Sequence, residues 1–122
     1  MPYPHAHTPP PQRVTVAIGV VRTEISGEHA PRHAYEIRRH ARVSGYRYLY
    51  TVRPPSDEPD PLTYVRALAT ALGAEVIIAF DLGQVDDRPG SLCDLGYRLE
   101  TVCPPAVWAP SVPASGTGGA PR

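Results

Sequence analysis

The chain has 122 residues, and its 12 Arg balance 12 acidic residues with no Lys, so the net charge is zero. The length suggests one domain, and the absence of Lys rules out a Walker-type phosphate loop, whose lysine contacts the phosphates. No segment holds the ~18 consecutive apolar residues of a membrane span and no basic-then-apolar leader is visible, so the expected location is the cytoplasm.

Residues 1–12 (MPYPHAHTPPPQ) are mostly Pro and His and are expected to be a disordered tail, because they have too few large apolar side chains to offset the entropy of ordering. His5 and His7 lie there without a scaffold, so no metal site is expected of them. The domain is placed at residues 13–109. It opens with VTVAIGVV (Val14 to Val21), an unbroken apolar and β-branched run of the kind found in strands buried on both faces. TEISGEHAP is expected to be a loop. Pro31 suits the first turn of a helix, Ala34, Ile37 and Ala41 recur at helical spacing, and Gly45 closes that helix. YRYLYTV (Tyr46 to Val52) is the second expected strand.

After the loop RPPSDEPD, Asp60 followed by Pro61 has the form of a helix N-cap and first helical position. Leu62, Val65, Leu68, Ala69 and Leu72 form one apolar stripe, and Gly73 ends it. EVIIAF (Glu75 to Phe80) is the third strand and DLGQVDD a loop. Arg88-Pro89 opens a short helix, weakened by Gly90 and Gly96. LETVC (Leu99 to Cys103) is a fourth strand, stopped by Pro104 and Pro105. Cys93 and Cys103 match no zinc or redox spacing and are expected to be core thiols. Residues 110–122 form a second expected tail, rich in Pro, Gly and Ser. The alternation predicts an α/β fold of three layers: a mostly parallel four-stranded sheet with helices on both faces.

Charge is unevenly spread. Residues 13–53 hold eight Arg and three acids, whereas residues 54–100 hold three Arg and nine acids. The expected domain therefore has a basic and an acidic side. In open α/β sheets, ligands gather beyond the carboxyl ends of the strands. There the sequence places Arg22, Glu24, Ser26, Glu28 and His29 after the first strand, Arg53 after the second, and Asp81, Asp86 and Asp87 after the third. No Gly-x-Gly-x-x-Gly and no Gly-x-Ser-x-Gly occurs, which argues against a dinucleotide site and a hydrolase elbow. No cofactor is expected.

Three segments together resemble the catalytic domain of the serine recombinases, the resolvase/invertase family: IGVVRTEISG, the helix carrying E-I-R-R, and DPLTYVRALATALGAEVIIAFDLGQV. The resemblance spans about residues 14–108 and lies in order and spacing more than in any one motif. It implies a resolvase-like α/β domain of DNA recombination. In the family, a Tyr-x-Arg-Val-Ser motif ends the first strand; here its Tyr, Arg, Val and Ser positions are Val20, Arg22, Thr23 and Glu24. An Arg-Pro pair before a helix becomes Asp60-Pro61. The Leu-Asp-Arg-Leu-x-Arg segment becomes Phe80, Asp81, Leu82, Gly83, Gln84 and Val85, which keeps Asp81 and loses both Arg. The resemblance thus marks Arg22, Glu24, Ser26 and Asp81 as a dismantled site. Glu24 cannot form the phosphoserine link and would repel a phosphate, and each lost electrostatic donor can cost ~10²–10³ in rate. Ser26 lies two residues past the nucleophile position, with no general base specified for it. The family places a long dimerisation helix and a DNA-binding helix-turn-helix after this domain, and residues 110–122 are expected to form neither.

The leading expectation is a non-catalytic binding or regulatory module. The alternatives are a weak, salt-sensitive nucleic-acid binder, a protein–protein assembly module and a small-molecule enzyme. The nucleic-acid binder would use Arg32, Arg38, Arg39, Arg42 and Arg53, with Arg22 nearby. Assembly, with itself or another protein, would follow from the charge asymmetry. The enzyme would use Glu24, His29 and Asp81 as acid–base groups.

Overall fold

The structure, a computed structural model, describes residues 14–111. The tail expected at 1–12, with His5 and His7, and residues 112–122 lie outside the described residues. The elements in chain order are β1 (Val16–Val20), α1 (Thr23–Ser26), a 3-10 turn (Gly27–His29), α2 (Ala30–Val43), β2 (Arg47–Val52), α3 (Pro61–Leu72), β3 (Val76–Ala79), a second 3-10 turn (Leu82–Val85), α4 (Gly90–Cys93), β4 (Arg98–Val102) and β5 (Pro105–Trp108). The sheet runs β2-β1-β3-β4-β5. The β2/β1, β1/β3 and β3/β4 pairs are parallel, and β5 returns antiparallel to β4. The expected α/β class and mostly parallel sheet are present.

The sheet has five strands, not the expected four. Pro104 and Pro105 do not end the sheet; they turn it. A proline is tolerated as the first residue of an edge strand, where no ladder hydrogen bond needs its missing N–H. The turn is held by the Thr101 hydroxyl, which donates to the Pro104 carbonyl at 2.7 Å. Ala106, Val107 and Trp108 then pair with Thr101, Glu100 and Leu99. Cys103 lies exposed in this turn, so only Cys93 is a core thiol.

Two expected loops are helical. The TEISGEHAP segment forms α1 and a 3-10 turn that run into α2. Its first turn is nucleated at the strand end, where the Arg22 carbonyl accepts from the N–H groups of Ile25 and Ser26. The segment after β3 is likewise a 3-10 turn, closed at Asp86 in the left-handed region. α3 begins and ends as its sequence dictates. The Asp60 side chain accepts from the Thr63 N–H and hydroxyl, Pro61 opens the helix, and Gly73 closes it at φ 71°.

Each face of the sheet buries one apolar set. α2 lays Ala30, Ala34, Ile37 and Ala41 over Ala17, Val21, Val76 and Ile78. On the other face, Leu62, Val65 and Ala69 of α3, with Leu92 and Cys93 of α4, cover Ile18, Val20, Val52, Ile77, Ala79 and Leu99. Covering both faces explains why β1 and β3 read as continuous apolar runs. The stripe of α3 is narrower than expected: Leu68 is only partly buried and Leu72 is exposed. No helix among the described residues is long and apolar enough to cross a membrane.

Candidate functional site

The order of the strands diverges at β1, with β2 on one side and β3 on the other. The crevice beyond the carboxyl ends of β1 and β3 is therefore the topological switch point, where sheets of this kind gather ligands. Arg22, the residue after the short tail of β1, is buried there. Its N–H donates to Gln84 Oε1 at 2.7 Å. Its Nε donates to Glu24 Oε2 at 3.0 Å, and one terminal nitrogen reaches Asp86 Oδ1 at 2.8 Å. Burial disfavours the charged guanidinium, but the bonds to Asp86 and Glu24 outweigh it and hold the proton more tightly than usual. The one arginine that the resemblance carries over is thus occupied by two carboxylates.

Gln84 links this cluster to a second. With its Oε1 on Arg22, its Nε2 donates to Ser26 Oγ at 3.0 Å. Ser26 Oγ also lies 2.8 Å from His33 Nδ1. With the Ser26 oxygen already accepting from Gln84, its own O–H is free to donate to Nδ1 of a neutral imidazole. Burial pushes His33 below the ordinary histidine value, partly opposed by the charge of Asp81. The ring stacks on Phe80 with centroids 3.8 Å apart. Ser26, for which no base is legible in the sequence, therefore has one within hydrogen-bond distance. Gly27, at φ 57°, and the 3-10 turn after it interrupt the helix between the two residues, so no simple helical spacing announces the pair. Yet Ser26 is only 4 % exposed, which encloses its hydroxyl within its own network.

Of the possible acid–base trio, the structure assembles little. Glu24 is engaged by Arg22, His29 is exposed with its ring 6.0 Å from that of His33, and Asp81 acts on His33 through charge alone. Asp81 Oδ1 is buried without a hydrogen-bond partner among the described residues. No group of three or more potential metal ligands occurs among the described residues.

The expected nucleic-acid residues do come together. Arg32, Arg38, Arg39 and Arg42 are exposed along α2 and Arg53 is exposed just past β2. Burial raises the Tyr48 phenol, while Arg38 and Arg53 both pull it back, so these two guanidiniums share a neighbourhood. An aromatic not singled out in the sequence stands among them. Tyr35 is 54 % exposed and, at helical spacing, neighbours Arg32, Arg38 and Arg39. The nearest carboxylate on this face, Glu36, approaches Arg39 only to 4.0 Å.

A further buried polar cluster lies between the end of α2 and β4. Glu100 accepts from His40 Nε2 at 2.6 Å, from Arg98 Nε at 2.7 Å and from the Tyr46 hydroxyl. No protein-family model matches the chain, and no curated protein or solved structure matches it either.

Proposed function

We propose that this domain is a non-catalytic, serine-recombinase-like module that contacts nucleic acid through the exposed arginine face of α2. The observation that carries this reading is a contrast between arginines. Arg22, at the strand ends, is buried and paired with Glu24 and Asp86. Arg32, Arg38, Arg39 and Arg42 project from one helix into solvent. A phosphate backbone needs guanidiniums that are not already neutralised, and those are on α2. Tyr35 at the centre of the face adds a ring on which a base or sugar can pack.

The test is fluorescence anisotropy of a labelled 30-base-pair duplex across a salt series. The expected result is binding that weakens steeply with salt, and Arg38→Ala with Arg39→Ala lowers the log–log salt slope by about 2, since each B-DNA phosphate contact contributes ~0.9. Absence of binding at low salt would overturn the reading.

One observation favours a second reading, charge-driven assembly. The basic segment builds β1, α2 and β2, with α2 and its exposed arginines on one face of the sheet, and the acidic segment begins with α3, which packs on the other face. Two copies, or a partner, could pair through this uneven charge. Sedimentation at low and high salt decides it: a monomer in both excludes self-assembly.

A further inference from the structure

We propose that the groove between the β4–β5 hairpin and the 81–87 segment binds a small guanidinium compound. The groove has a volume of about 440 Å³, within the range of small-molecule sites. Its floor follows from strand register. Thr101 pairs with Ala106 and Leu99 with Trp108, and directly opposed residues of an antiparallel pair share a face. Trp108 and Ala106 therefore lie beside Thr101 on the face that carries α3 and α4. The indole forms an apolar wall of the groove.

The charges at this groove are all of one sign. Asp81 and Asp87 are the charged residues that line it. Asp81 Oδ1 is buried with no hydrogen-bond partner among the described residues. With no exposed surface, Oδ1 cannot itself touch a ligand, and what the groove offers is the negative charge of the half-buried Asp81 and the exposed Asp87. The Thr101 hydroxyl is already committed to the Pro104 carbonyl, so it offers no donor to an anion. An aromatic wall beside unpartnered carboxylates selects an organic cation. A guanidinium fits better than an ammonium, because its plane stacks on an indole while its N–H fork meets a carboxylate. This site is independent of the arginine face of α2 and stands or falls apart from it.

Trp108 is the single tryptophan of the chain, so the full-length protein carries its own reporter. Titration with n-butylguanidinium is expected to change Trp108 fluorescence saturably and to raise the melting temperature. n-Butylurea, planar but uncharged, is expected to do neither. Asp81→Asn is expected to weaken n-butylguanidinium at least tenfold, and Asp87→Asn, at the exposed rim, severalfold. A non-saturating response, an equal response to n-butylurea, or unchanged affinity in both variants would overturn the proposal. Should Asp81→Asn fail to fold, the Asp87→Asn affinity and the n-butylurea comparison still decide it.

Discussion

Arg22 and Glu24 face each other at 3.0 Å across the end of β1. The residue that the recombinase resemblance sets at the nucleophile position is thus the residue that neutralises the arginine beside it. Asp86, 64 positions further along the chain, holds the same guanidinium from the other side.

A serine at position 24 should therefore confer no recombinase chemistry. In Glu24→Ser, Asp86 still pairs with Arg22, and the arginine positions that the resemblance assigns to Asp60, Leu82 and Val85 still lack positive charge. The expected outcome is no covalent protein–DNA adduct and no nicking of supercoiled plasmid. Adduct formation by Glu24→Ser would mean that Arg22 is free enough to support phosphoryl transfer.

The Ser26–His33 contact predicts a pH effect on stability. The unfolded imidazole takes up its proton near its ordinary value of ~6.5, while burial moves the folded one lower. Between the two values the unfolded state binds more protons, so stability falls as pH falls through that window. Thermal melts from pH 7.5 to 5.5 should show the decline. His33→Gln, which keeps an acceptor for Ser26, should flatten it. A His33→Gln profile parallel to that of the wild type would show that His33 does not set the decline.

Much of the fold was legible from local chemistry. Asp60-Pro61 and Gly73 bracket α3 through a cap, a missing N–H and a left-handed turn, all short-range effects. β1 and β3 declare themselves because burial on both faces demands unbroken apolar runs. β5 was not legible: Pro105-Ala106-Val107-Trp108 becomes a strand only because β4 offers an edge and Pro104 turns the chain back. α1 was hidden for a related reason. A four-residue helix has no apolar periodicity and is held by the strand end that precedes it. At the site, the sequence pointed to Arg22, Glu24, Ser26 and Asp81. Gln84 joins Arg22 to Ser26 and Asp86 holds Arg22 from 58 to 64 residues away; Asp86 was expected near the strand ends, but no local pattern announces either pairing.

Gly19 predicts a packing penalty. A methyl group there would lie 2.2 Å from the Tyr48 hydroxyl oxygen and 2.6 Å from Ile37 Cγ2. Tyr48 is not free to swing away, because its hydroxyl is bonded to Thr51 Oγ1 at 2.5 Å. Gly19→Ala should cost ~1–3 kcal/mol through overpacking, read as a lower denaturant midpoint. Tyr48→Phe added to it should recover part of the loss, since it removes the nearer clash. Additive losses in the double variant would show that Ile37 alone sets the penalty.

Glu100 predicts an effect of acid on stability. It is 3 % exposed, and burial alone would raise its carboxyl pKa. The bonds from Tyr46, His40 and Arg98 outweigh burial and bring it below the ordinary glutamate value. A depressed folded value means stability that is complete above the unfolded pKa of ~4.3 and is lost as pH falls through the folded one. Glu100→Gln should therefore destabilise the domain by ~1.5–3 kcal/mol at neutral pH, the usual worth of hydrogen bonds to a charged group. The same variant should lose less stability than the wild type between pH 5 and 3. His40→Ala, Tyr46→Phe and Arg98→Ala each remove one donor and should each fall short of the full loss. Denaturant melts at neutral and acid pH measure both effects. A Glu100→Gln variant as stable as the wild type at neutral pH would show that the three donors bind an uncharged acceptor equally well.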